Sequence, residues 1–183
     1  RQHPHQFTTV QVHGGDFRGG GGDACAVDRG AQQGLAMVGP DDRTHGHVDD
    51  IARFVSPGVV VLAHEEDPAD ENHARSLDNL QRLKGATDAT GAAIKVVTLP
   101  YPRAVIMDGA RLPASYANFY ISNAAVIAPT FNDPNDRVAL GILGELFPGR
   151  PVVGIHAVDL VLGFGTLHCL TQQQPSAHPG VLS

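Results

Sequence analysis

The feature that most restricts this chain is an internal repeat. When the sequence is laid against itself so that Ala52-Arg53-Phe54 falls on Ala117-Asn118-Phe119, the same order of predicted elements occurs twice. In the first unit, residues 51–55, a turn at Ser56-Pro57-Gly58 and residues 59–63 predict a hairpin, with proline and glycine where a tight turn needs them. A helix follows: Asp70 or Asn72 can cap it, Leu77, Leu80 and Leu83 give it an apolar stripe, and Gly85 stops it after Lys84. The unit closes on a strand at 94–99, ended by Pro100. The second unit has a hairpin from 116–121 and 124–128 around Ser122-Asn123. Its helix is capped by Asn132 or Asp133, begins at Pro134 and is faced by Val138, Leu140, Ile142, Leu143 and Leu146, and a strand at 152–155 closes the unit. A strand pair around 104–112 separates the units, and a last strand is expected at 166–171. The class is α/β, built of ββαβ repeats. A single such unit cannot bury its own sheet, so the units are expected to pack around a common axis with their loops meeting at the centre.

Against this texture, residues 1–45 stand apart. Gly14-Gly15 and the run Gly19-Gly20-Gly21-Gly22 interrupt every period, and glycine of this density is entropically costly to order. No Gly-Lys-Ser/Thr follows the glycines, as a phosphate-cradling loop would require. The expected organisation is therefore a poorly matched segment over 1–45, the repeat-bearing body over 46–175 and a tail over 176–183.

Two stretches of the body carry reactive groups. Cys169 lies in Gly163-Phe164-Gly165-Thr166-Leu167-His168-Cys169-Leu170-Thr171, where glycines lead into a short β-prone run, a setting suited to a presented nucleophile. In Gly46-His47-Val48-Asp49-Asp50, His47 and Asp49 have the spacing of alternate strand residues, which places an imidazole and a carboxylate on one face. A thiol, a base and an anion result. The plainer alternatives are a cysteine serving as a small buried hydrophobe and a His-x-Asp-Asp sequence forming a solvated turn. A metal hydrolase using His45, His47, Asp49, His168 and Cys169 is a further possibility, although tight ligand spacings such as H-E-x-x-H are absent.

Charge and composition narrow the partners. The net charge of −6 and the absence of any Lys/Arg cluster argue against a nucleic-acid surface and favour a cationic small molecule. No apolar run reaches the length of roughly 18 residues that a spanning helix needs, and no signal peptide is indicated, so a soluble, cytoplasmic protein without membrane association is expected. Cys25 and Cys169 are too few for a disulfide framework, and both are expected to be reduced. A start at Arg1 reads as that of a fragment.

Four motifs, in order, carry a resemblance: Gly46-His47-Val48-Asp49-Asp50, Leu112-Pro113-Ala114-Ser115-Tyr116-Ala117-Asn118-Phe119-Tyr120, Pro129-Thr130-Phe131-Asn132-Asp133-Pro134, and Leu167-His168-Cys169-Leu170-Thr171-Gln172-Gln173-Gln174-Pro175. Together they resemble the carboxy-terminal half of the bacterial peptidylarginine-deiminase-like family, and within it the agmatine deiminases, from about Asp41 to Pro175. The resemblance implies a partial α/β propeller of the pentein type, with five ββαβ units in the complete ring. It also implies hydrolysis of agmatine to N-carbamoylputrescine and ammonia, a step of putrescine biosynthesis, with no metal or organic cofactor. Cys169 is then the nucleophile, His47 the general acid/base and Asp49 the carboxylate that holds the guanidinium. Peptidyl arginine is the alternative substrate.

Departures from the family pattern also carry expectations. The family's first half supplies a further acidic pair that this chain lacks, so an inactive remnant is the second expectation, and the open sheet edge left by absent units favours a homo-oligomer. Arg1-Gln2-His3-Pro4-His5 is similar to an Arg-Asn-Pro-His segment of the family, whereas residues 6–40 read as an out-of-frame stretch that regains frame near Asp41.

Overall fold

The computed structural model describes residues 47–88 and 91–172. The glycine-rich segment 1–45, with Cys25, His45 and the proposed frame change, and the tail 176–183 lie outside the described residues. Among the described residues the chain forms two three-stranded sheets, a two-stranded ribbon and two α-helices.

Both predicted ββαβ units are present. In the first, β1 (Ala52–Ser56) pairs antiparallel with β2 (Val59–His64) around Gly58, whose φ of 69° is the left-handed value the turn demands. Helix α1 (His73–Lys84) then crosses back, and β3 (Lys95–Pro100) joins β2 in parallel, with Val61 opposite Val97. Pro100 is the last ladder residue of β3, which is an edge strand and so tolerates the missing donor. The ribbon β4 (Ile106–Met107) and β5 (Ala110–Arg111) follows. The second unit repeats the plan with β6 (Tyr120–Ile121), β7 (Val126–Thr130), α2 (Asn135–Leu146) and β8 (Val152–His156), where β7 and β8 are parallel.

Strand β2 has two buried faces, as its period of two allows. Val60 and Leu62 pack with Leu83 and Ile94 beneath α1. Val61, one residue out of phase, joins Leu99, Tyr116, Phe119, Val126 and Leu143 in the main core, so the second unit covers the outer face of the first sheet. The corresponding face of the second sheet has no such cover among the described residues: Val153 is 44% exposed and Ile155 43%. Stacking of one unit on the next is thus seen once.

Several expectations need correction. Leu77 is exposed, because α1 turns Ser76, Asn79 and Leu83 inward instead. Ser76 is satisfied there, its hydroxyl lying 3.1 Å from His64 Nδ1 and 3.0 Å from the Glu65 amide, so a polar residue holds the face that a purely hydrophobic pattern assigns to leucine. Val138 on α2 is likewise exposed, and Ala139 and Leu143 form the buried row. Asn72 precedes α1 without a side-chain cap bond, while Asp70 accepts the Asn72 N–H and pairs with Arg111. At α2, Asp133 Oδ1 accepts the Asn135 N–H, as a cap should. Gly85 ends α1 at φ −93° rather than in a left-handed turn.

Two corrections reach the reactive residues. Residues 166–171 are not a strand, and the expected strand at 116–121 contracts to Tyr120–Ile121. The cause is shared: the Asn118 carbonyl, needed for a longer ladder, accepts the His168 N–H at 3.1 Å and ties the two segments together as loops.

Candidate active site

Val48–Asp50 forms a single 3-10 turn immediately before β1, not the extended strand that the spacing of His47 and Asp49 predicts. The turn nevertheless brings them together, with His47 Nδ1 3.7 Å from Asp49 Oδ1. Cys169 arrives from the other end of the chain. It sits on an isolated helical turn closed by the Leu170 N–H on the Thr166 carbonyl, and its thiol donates to Asp49 Oδ2 at 3.0 Å. The three expected residues therefore meet at the described surface, His47 and Cys169 exposed and Asp49 half-buried. His168, one position earlier, is buried and is not one of the residues that converge here. His45 lies outside the described residues.

The residue that joins the parts is Asn118, whose side chain is wholly buried. Its Nδ2 donates to Asp49 Oδ2 (3.0 Å), Asp50 Oδ1 (2.8 Å) and Cys169 Sγ (3.1 Å). Its Oδ1 accepts from the Thr166 N–H (3.1 Å) and hydroxyl (3.0 Å), the His168 N–H (3.0 Å) and, more weakly, the Cys169 N–H (3.3 Å). Acceptors on one side and donors on the other fix which way the amide points. Asn118 thus ties the His47–Asp50 turn to the Cys169 turn from below.

Arg53 sits beneath the same group. It is buried in β1, stacks 4.6 Å from the Phe119 ring centre and donates to the Phe119 carbonyl. Burial pulls its pKa down to about 10, against the opposing pull of Asp49, Cys169 and Asp50. It remains a cation at neutral pH and compensates the buried Asp50. Gly165 completes the floor, since a Cβ there would stand 2.6 Å from both Cβ and Sγ of Cys169.

The thiol is protonated in this arrangement. Burial, the Asp50 charge and the hydrogen bond to Asp49 push Cys169 up to about 12, with the Asn118 hydrogen bond pulling the other way. A site of two carboxylates beside a thiol gains a thiolate when a cation enters and neutralises the field.

Asn118, Asp50 and Arg53 underlie the candidate site, and the sequence reading gives them no role. The available signal was the repeat itself: Arg53 and Asn118 occupy one repeat position, and each is a polar residue inside an apolar strand-like run.

Residues 32–175 match the Porphyromonas-type peptidyl-arginine deiminase family, and the chain belongs to that family. A relative named "Putative agmatine deiminase" from Legionella pneumophila is 41% identical over 145 residues, covering 79% of this chain and 41% of its own length. The agmatine deiminase of Enterococcus faecalis superposes with a TM-score of 0.68 at 37% identity, over 72% of this chain and 41% of that one. A cysteine-to-serine variant of C. jejuni agmatine deiminase with substrate bound superposes at 0.63 and 31% identity, over 69% and 36%. The chain spans about two fifths of the length of these relatives. No helix among the described residues is long and apolar enough to cross a membrane.

Proposed function

We propose that this chain carries the nucleophilic half of an agmatine deiminase, with Cys169, His47 and Asp49 in the roles of nucleophile, general acid/base and guanidinium-holding carboxylate. The observation that carries the proposal is the convergence of the three side chains from chain segments 120 positions apart onto one exposed face, with thiol and carboxylate at 3.0 Å. A guanidinium is a delocalised, poor electrophile, so a carboxylate must orient it before attack. Asp49 supplies that anchor. The substrate's charge replaces the thiol proton electrostatically, and His47, exposed beside Asp49, accepts the proton.

Attack of the Cys169 thiolate on the central carbon forms the C–S bond and a tetrahedral adduct. Collapse expels one nitrogen as ammonia, with the proton delivered by His47, and leaves a thiouronium on Cys169. Water, deprotonated by His47, then adds to the same carbon. The C–S bond breaks, the thiol is restored and N-carbamoylputrescine leaves, a product suited to putrescine biosynthesis. No metal or organic cofactor takes part in these steps. The first unit stacks on the second, and the uncovered sheet face at Val153 and Ile155 supports a partial propeller whose ring of five ββαβ units is closed by further polypeptide. Peptidyl arginine is the competing substrate, because Asp49 would hold only the guanidinium that both share.

The test is intact-mass analysis after acid quench of chain incubated with agmatine. A thiouronium adduct on Cys169 in the parent protein, lost in His47→Ala, where the thiol lacks its base and the leaving ammonia its acid, is the expected result. Absence of any adduct on Cys169 in both proteins, with ring-closing polypeptide supplied, overturns it.

A further inference from the structure

Every ligand atom of the exposed trio is also a donor to soft or borderline metal ions. One imidazole nitrogen of His47, an Asp49 oxygen and Cys169 Sγ all lie within 4.8 Å of one another. We propose that His47, Asp49 and Cys169 form a capture site for a thiophilic divalent cation, zinc foremost, whose occupation withdraws the thiol from chemistry.

The geometry favours zinc over other cations. Tetrahedral zinc with a Zn–S bond of about 2.3 Å and Zn–N or Zn–O bonds of about 2.0 Å places its ligands roughly 3.3–3.6 Å apart. Here Sγ and Asp49 Oδ2 are 3.0 Å apart, and His47 Nδ1 and Asp49 Oδ1 are 3.7 Å apart. To complete the set, Sγ and Oδ2 must part by a few tenths of an ångström and the imidazole must swing towards them, which a side chain 54% accessible permits. One sulfur, one nitrogen and one carboxylate suit zinc and not magnesium or calcium, which demand shells of oxygen.

The supporting shell is equally suited. Asn118 Nδ2 donates to both the Asp49 carboxylate and the Cys169 sulfur, holding two ligands in place from the buried side. Asp50 adds negative charge behind them, and buried Arg53 opposes it. Binding converts the thiol to a zinc thiolate and releases its proton to solvent, so affinity increases with pH. A guanidinium and a zinc ion then compete for the same carboxylate and thiol. The binding claim is independent of the deiminase proposal, since it is read on the thiol without substrate.

The experiment uses the reduced, chelator-treated chain. Iodoacetamide labelling of the Cys169 peptide is followed by mass spectrometry with zinc chloride, with magnesium chloride, and with zinc followed by EDTA. Cobalt(II) is titrated in parallel to watch for a thiolate charge-transfer band. The expected result is at least about tenfold slower labelling with one equivalent of zinc, no effect of magnesium and recovery with EDTA, a factor of ten corresponding to about 1.4 kcal/mol. Protection weakens in His47→Ala, and the cobalt band disappears in Cys169→Ser. Cys169 labelling that zinc leaves unchanged, or protection that survives His47→Ala undiminished, overturns the site. The wild-type labelling arm needs no variant to fold.

Discussion

Asn118→Ala tests whether the site is held from within. The substitution leaves Arg53 and the backbone of β6 in place but removes both ends of the buried amide. The Thr166 N–H loses its acceptor at 3.1 Å, whereas the His168 N–H retains the Asn118 backbone carbonyl at 3.1 Å. One orphaned buried donor costs about 1–3 kcal/mol, and the lost bond to the Asp50 carboxylate adds about 1 kcal/mol or more, for a total near 3 kcal/mol. For a chain of this size that corresponds to a fall in Tm of about 6–12 °C. The thiol also loses the one hydrogen bond that lowers its pKa, so its labelling slows at fixed pH. Thermal unfolding and Cys169 alkylation are measured on the same preparation. A Tm within about 2 °C of the parent together with unchanged alkylation, a shift worth at most about 1 kcal/mol, refutes the assignment of Asn118 as the joint.

Other perturbations separate the contributions. With the Cys169 thiol raised to about 12 by burial, the Asp50 charge and the Asp49 bond, its alkylation rate keeps climbing through pH 10 and does not level off near the ordinary thiol range; a plateau by pH 9 contradicts the geometry. Because the folded state holds this proton more tightly than the unfolded state, the thiol's contribution to stability is complete below about pH 8.5 and is lost as pH rises towards 12, which pH-dependent denaturation measures. Asp50→Asn removes a charge that opposes the thiolate and accelerates alkylation at pH 8; slower labelling in a folded variant argues against that field. Gly165→Ala pushes a methyl to 2.6 Å from Cys169 Cβ and Sγ, so Cys169 leaves Asp49 and stability falls by about 1–3 kcal/mol, visible in a urea titration.

The repeat made the element order legible because hairpin, helix and strand leave separate signals: proline and glycine at a turn, leucines at helical spacing and β-branched runs. Which helix face turns inward was not legible. Ser76 is buried through hydrogen bonding that a hydrophobic pattern cannot register, and Asn79 is buried beside it, so the pattern puts Leu77 in their place. The reactive residues were legible as chemical types, but their local structure was not. His47 and Asp49 meet through a 3-10 turn in place of a strand, and Cys169 is presented by one isolated turn. Both segments take their shape from Asn118, a tertiary contact spanning more than fifty positions on the one side and almost seventy on the other. No local propensity encodes a contact of that range.

The central claim is that Cys169 is a nucleophile aligned to a guanidinium by Asp49 and His47. The most direct measurement is covalent labelling with a haloacetamidine, a guanidinium mimic bearing a leaving group, located by peptide mass spectrometry with and without agmatine. Selective labelling of Cys169 that agmatine suppresses and His47→Ala abolishes is the predicted result. Equal, slow labelling of Cys25 and Cys169, indifferent to agmatine, contradicts it.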